Sequence, residues 1–248
     1  MIADKYWYIF FGKVLPERAL VSIPGQIAEL KVNGKLIGGM TTTVLVSQVT
    51  IQINLFEKCS NIYTLKFAIE DGLRVQLDAL GYINSCGYDL EITQMIDSSG
   101  YVEVFGVNID DTNKFPQMRP KKFSDIMMLF TTDQGEYLRL CLSDLREAIR
   151  TPKDTGFFCY RSIECLRQYF VYANKLDGND SGIKSWDLLR NELGIERENI
   201  DFVKTYADPV RHGGQTIFSG GERMKMFTIT WDIIDKFVVY ACNGYKKT

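Results

Sequence analysis

From Tyr6 to about Ile109, apolar residues come in short runs that alternate with polar ones and are punctuated by turn residues. In the run Val44-Leu-Val-Ser-Gln-Val-Thr-Ile-Gln-Ile-Asn-Leu55, Val49, Ile51, Ile53 and Leu55 share one face of an extended chain, whose side chains alternate sides. The same reading predicts extended segments over residues 6–14, 19–23, 26–32, 42–56, 61–80, 89–96 and 101–109. Asn33-Gly34, between 29–32 and 35–37, is a type I′ hairpin signal, and Ser98-Ser99-Gly100 separates the last two strands in the same way. Residues 61–80 are too many for one strand; Glu70-Asp71-Gly72 predicts a turn within them, with a short helix over 71–80 as the alternative. Six to eight strands at this spacing predict an antiparallel β-sandwich or small barrel.

The period then changes. Residues 110–122 are polar, carry Pro116 and Pro120 and have no repeat, which marks a boundary. The expected division is a β domain over 1–112, a linker over 113–123 and a helical domain over 124–248. Residues 124–130 are apolar without a clear period. Over 136–150, Leu138, Cys141, Leu142, Leu145 and Ile149 make an amphipathic helix that Pro152 ends. The next helix, 156–174, has Asp154 or Thr155 as its cap and Phe158, Cys159, Ile163, Leu166, Phe170 and Ala173 on its apolar face. Ser185 is expected to cap a short helix with Trp186, Leu189 and Leu193. A fourth helix runs from about Arg197, and 222–242 closes the domain with Met226, Ile229, Ile233, Phe237 and Tyr240 as one stripe. Five helices predict a bundle, and the fold class is α+β.

Composition adds exclusions. Apolar content of 46% and charged content of 24% are those of a globular protein, and the net charge of −2 excludes a surface that grips nucleic acid as a whole. Any such surface is a local patch. Six cysteines without paired CxxC spacing, beside one histidine, argue against a zinc site, and no cofactor is expected. The opening apolar run is short, aromatic and interrupted by charge, unlike a signal peptide, and no run reaches the ~20 apolar residues of a membrane span. A reduced cytoplasmic protein is the expectation.

The candidate chemistry lies in Ile200-Asp-Phe-Val-Lys-Thr-Tyr-Ala-Asp-Pro-Val-Arg-His-Gly-Gly214, which holds the only histidine. Ile200, Val203, Ala207 and Val210 form the buried stripe of a helix; Lys204, Asp208 and Arg211 fall on another face. Pro209 predicts a kink or an end near Asp208, and Gly213 and Gly214 stop the helix. Asp208, Arg211 and His212 are then presented together at a surface. Structural roles account for the same residues: His212 as a helix-terminal cap favoured by the helix dipole, Arg211 paired with Asp208, and Arg161, Glu164 and Arg167 in i,i+3 surface pairs. The aromatic group Tyr6, Trp7, Tyr8, Phe10 and Phe11 suits either a first strand's core or a base-stacking platform. The glycine-rich 212–221 lacks the Lys-Ser/Thr of a phosphate-binding loop.

A polar residue, three residues and then His-Gly at a helix end resembles the signature helix of HEPN domains, with Asp208 at the polar position and His212 at the histidine. The resemblance covers about 136–243. It implies a four- to five-helix bundle, a homodimer through that domain, binding of RNA or a nucleotide, and metal-independent endoribonuclease activity of a toxin or antiviral defence type. The family's arginine falls at 205–207, where this chain has Thr205, Tyr206 and Ala207; Arg211 is the nearby guanidinium. Carried onto this chain, His212 is the proton-transfer group and Arg211 the phosphate contact. Asp208 and Glu164 orient them, Glu164 matching the family's acidic residue on the preceding helix. Lys204, Arg161 and Arg167 are the candidate RNA contacts. A non-catalytic dimerisation scaffold whose β domain senses a ligand or protein partner remains the alternative.

Overall fold

The computed structural model describes residues 6–32, 35–105, 123–178 and 181–246. The chain divides into two compact units, Met1–Val107 and Asn108–Thr248. The expected linker, apart from Phe123, and the Asn33-Gly34 turn lie outside the described residues.

The first unit is one antiparallel sheet of six strands: β1 (Tyr6–Leu15), β2 (Ile23–Val32), β3 (Lys35–Leu45), β4 (Gln48–Leu55), β5 (Asp89–Asp97) and β6 (Val102–Val104). They lie in the order β2-β3-β4-β1-β5-β6, so the sheet is open, with β2 and β6 at its edges. This corrects the expected sandwich or barrel. The segment 61–80, expected as extended chain with a short helix over 71–80 as the alternative, is helical along its length: α1 (Ile62–Asn84) takes in that shorter helix and is begun by Asn61, whose side chain accepts the Thr64 N–H. Ile69, Leu73 and Leu77 recur every fourth residue along α1 and bury against Phe10, Ile51, Ile53 and Ile92 of the sheet. A helix over one face does what a second sheet would have done. Residues 19–23 also differ, because Glu17–Ala19 is a 3-10 turn and β2 starts only at Ile23.

Two local devices hold this unit. At Thr93 the pairing of β1 with β5 slips, Phe11 facing Gln94 and the next residue, Gly12, facing Ile92. A side chain at Gly12 would meet the Glu91 carbonyl at 2.3 Å, so the close approach there requires glycine. The slip frees the Ile92 N–H, which donates to Glu70 Oε1 of α1 at 3.1 Å; Lys66 Nζ donates to the same oxygen at 2.7 Å. Glu70 is 3% exposed, a buried carboxylate pinning helix to sheet. The second device is the β3–β4 turn, where Val46 and Ser47 both have positive φ, 51° and 62°. Ser47 is fully buried, and it exchanges two bonds with Val21: the Val21 N–H donates to its Oγ (3.0 Å) while its own N–H donates to the Val21 carbonyl (2.7 Å).

The second unit holds, among the described residues, six α-helices and a 3-10 turn rather than the expected five helices: α2 (Phe123–Leu129), α3 (Gly135–Arg150), the turn Pro152–Asp154, α4 (Thr155–Ala173), α5 (Ser181–Leu193), α6 (Arg197–Arg211) and α7 (Gly220–Cys242). The helix without a clear period in the sequence is α2. Helix α4 is central and packs on α3, α5, α6 and α7. Its apolar residues Ile163, Leu166 and Phe170 meet Leu189, Val203, Phe227 and Phe237 in one core. Of the two caps expected for α4, Asp154 takes the N-cap position, while Thr155 turns its hydroxyl back to the Ala148 and Pro152 carbonyls. The expected cap Ser185 lies instead inside α5, donating to the Gly182 carbonyl. The last turn of α3 is capped from a distance: Arg223 Nη2 of α7 donates to the Ala148 and Ile149 carbonyls at 3.3 and 3.0 Å. Burial holds the Arg223 pKa down at about 10, still far above neutrality, so it remains a cation.

Candidate functional site

Of the kink or end expected near Asp208, the end does not occur: helix α6 runs through Pro209 to Arg211, just short of the two glycines expected to stop it. A proline in a helix's final turn removes one hydrogen bond and leaves few turns beyond it to disrupt. Termination comes three residues later. The Gly213 N–H donates to the Val210 carbonyl (3.0 Å) and the Gly214 N–H to the Pro209 carbonyl (2.8 Å), with Gly213 at φ +80°. This is a Schellman ending, with His212 as the C-cap and Gly213 in the left-handed position. Gly214 is needed as well, since a Cβ there would lie 2.9 Å from the Pro209 carbonyl oxygen. The ending leaves His212 exposed, its backbone N–H shared between the Asp208 and Pro209 carbonyls. Among the described residues its imidazole has no hydrogen-bond partner.

Glu164 of α4 faces this helix end. Arg211 Nη2 donates to both of its carboxylate oxygens, at 3.3 and 3.0 Å. Asp208 is taken by Lys204, one turn earlier on α6. The expected Arg211–Asp208 pair is therefore replaced by two others, and the expected i,i+3 pairs of Glu164 by one across helices. What allows the approach is Gly156 of α4, where an added Cβ would sit 2.5 Å from Tyr206 Cβ. No side chain separates α4 from α6 at that point.

Arg161 stands apart from the site. It pairs with Asp144 of α3 at 2.9 Å and lies over the Phe157 and Phe158 rings. The candidate RNA contacts thus do not form one group: Lys204 and Arg167 are on the α4–α5–α6 side, Arg161 on the α3 side. Arg167 stacks on Trp186 of α5, its guanidinium carbon 5.2 Å from the ring centre.

A residue the sequence reading passed over joins the group. Tyr160 is buried and stacks on Trp186 at 5.8 Å. Burial, then the charges of Glu164 and Asp208, push its phenol up to about 12, against the pull of Arg211 and Arg167. At neutral pH it is a hydrogen-bond donor. Its position four residues before Glu164 and seven before Arg167, on one face at 3.6 residues per turn, is the signal that would have found it. The thiols packed in this core offer no nucleophile: burial raises Cys159 and Cys165 to about 12 and lifts Cys141 well above the ordinary thiol range.

Among the described residues, no group of three or more His, Cys, Asp or Glu is placed to hold a metal ion, and no helix is long and apolar enough to cross a membrane. Residues 8–105 match the N-terminal domain, and residues 123–242 the C-terminal domain, of the domain of unknown function DUF8168. Between them the matches take in most of the chain, one in each unit. The chain belongs to the DUF8168 family. No curated protein and no solved structure matches it. Both DUF8168 domains are of unknown function.

Proposed function

We propose that the C-terminal DUF8168 domain is a HEPN-like RNA-binding domain that works as a homodimer and cleaves RNA without a metal, as toxin and antiviral defence ribonucleases do. The observation that carries the reading is the end of α6, where an exposed imidazole follows a guanidinium whose orientation Glu164 fixes. His212 takes the proton of a ribose 2′-OH; the 2′-oxygen attacks the adjacent phosphorus, and the 5′-oxygen leaves with a proton. The products are a 2′,3′-cyclic phosphate and a 5′-hydroxyl. Imidazole is the side chain best suited to passing a proton between oxygens near neutrality. Arg211, which meets Glu164 through Nη2, stabilises the charge that develops on the phosphoryl oxygens.

Arg211 is the last residue of α6 and His212 its cap, so successive side chains diverge by about 100°. A second copy supplies one of the two groups to a shared phosphodiester, which is why the proposed unit is the dimer.

The test is to incubate wild-type protein and His212→Ala with RNA in the presence of EDTA. The reading expects chelator-resistant cleavage giving cyclic phosphate ends, reduced on the order of a hundredfold or more in the variant. Wild-type cleavage that EDTA abolishes, or that His212→Ala leaves intact, overturns it. RNA binding without cleavage favours the non-catalytic scaffold, a reading supported by Thr205, Tyr206 and Ala207 standing where the HEPN arginine falls.

A further inference from the structure

The candidate cations of α4 and α6 are not equivalent. Lys204 is matched by Asp208, Arg211 by Glu164 and Arg161 by Asp144. Arg167 has no such carboxylate among the described residues, and its Nε is buried with no hydrogen-bond partner. A buried donor left unpaired is uncommon in native folds and calls for an explanation. Packing holds this guanidinium instead. Trp186 stacks on Tyr160 with ring centres 5.8 Å apart, and the Arg167 guanidinium carbon lies over its ring at 5.2 Å from the centre. Stacking on an indole uses the face of the guanidinium and leaves the in-plane N–H groups of its terminal nitrogens free, in the fork geometry that fits a phosphate.

Its place along the helix matters too. Gly156 abuts Tyr206, and Glu164 meets Arg211, so α4 and α6 advance in the same sense across their contact. Arg167 comes one turn past Glu164, about 4.5 Å further at about 1.5 Å per residue, towards the end at which His212 is exposed.

We infer that Arg167, stacked on Trp186, is a phosphate-binding residue of this site, gripping a backbone phosphate of the RNA chain beside the one at Arg211 and His212. The ligand's nature rests on the RNA reading above; the lack of a matching carboxylate among the described residues does not. The proposed partner of this guanidinium is the nucleic acid.

The experiment measures binding of a fluorescent single-stranded RNA by anisotropy across a salt series. It compares the wild type, Arg167→Ala, Arg167→Lys and, as a control of equal charge, Arg139→Ala on the exposed face of α3. In parallel, the thermal shift produced by inorganic phosphate is recorded for each. Arg167→Ala is expected to weaken RNA binding on the order of tenfold and to lower the slope of log affinity against log salt by about one. Arg167→Lys should recover only part of it, because a lysine keeps the charge and loses the fork. Arg139→Ala should bind like the wild type. Equal weakening by Arg139→Ala and Arg167→Ala, or unchanged affinity in Arg167→Ala, overturns the inference while leaving RNA binding intact. If the wild type ignores RNA but gains a phosphate shift that Arg167→Ala lacks, the anion site stands and the RNA reading falls. If the wild type responds to neither, both fall. Unchanged melting temperatures without ligand show that the variants fold.

Discussion

Replacing Gly156 by alanine tests whether the site depends on how closely α4 and α6 approach. The added Cβ would lie 2.5 Å from Tyr206 Cβ and 3.0 Å from the Tyr206 carbonyl carbon. Carbon atoms in contact normally sit about 3.5–4.0 Å apart, so α6 must move by about 1 Å. Neither atom is the free end of a flexible side chain, and the backbone has to give. Overpacking of this kind costs about 1–3 kcal/mol, against a helix-propensity gain of at most about 1 kcal/mol for alanine over glycine. The gain is smaller here because Gly156 is in the first turn of α4. We expect a net loss of about 1–2 kcal/mol in urea denaturation followed by circular dichroism, with a lowered midpoint and an unchanged slope. Gly182→Ala is the matched control: it too is in the first turn of its helix, and its added Cβ would meet only Arg167 Nη1, at 3.9 Å. That variant should be neutral or slightly more stable. If the two substitutions behave alike, the tight α4–α6 approach is not what holds Glu164 against Arg211.

Two further outcomes follow from the polar anchors. Glu70→Ala should cost about 3–5 kcal/mol, because it leaves the mostly buried Lys66 and the Ile92 N–H unpaired; a loss below about 1 kcal/mol would mean the pair acts as an exposed one. Glu222 accepts from the Ser219 backbone and hydroxyl and from the Tyr206 hydroxyl; these bonds, the Ser219 N–H above all, hold its pKa down at about 2. The folded state then binds fewer protons than the unfolded one between 4.5 and about 2, so this stabilisation is complete above 4.5 and is lost as pH falls through that window. Melting temperatures across it should fall less steeply in Glu222→Gln than in the wild type, and parallel curves would refute the assignment.

The division into strands and then helices was legible because period two and period 3.6 are both strong in this chain. What escaped were elements whose composition and period disagree. Helix α1 mixes strand formers such as Tyr63, Thr64, Phe67 and Val75 with Leu65, Leu73, Leu77 and Leu80, and carries Gly72 and Gly81; the fourfold spacing of Ile69, Leu73 and Leu77 gives it away. The β3–β4 turn was hidden because Val46 and Ser47 occupy left-handed positions that Asn-Gly would advertise, and bonds from Val21 and Ser22 hold them there. At the site, spacing grouped Lys204, Asp208 and Arg211 on one face but could not say who pairs with whom. Asp208 had two cations within a turn, and the choice fell to Lys204 because Glu164 reaches Arg211 from another helix. Pairings across helices are set by crossing geometry, which residue spacing within one helix does not encode.

The strand order has a kinetic consequence. β1 lies in the middle of the sheet, yet its neighbours are β4 and the much later β5, with Tyr8 aligned to Asp97. The β2-β3-β4 meander can assemble from short-range contacts, whereas the aromatic run of β1 must wait for distant chain before its second edge is covered. During synthesis and refolding that run is the segment most open to pairing with the wrong neighbour, and dilute conditions or a chaperone should raise the yield more than any change at the α4–α6 site.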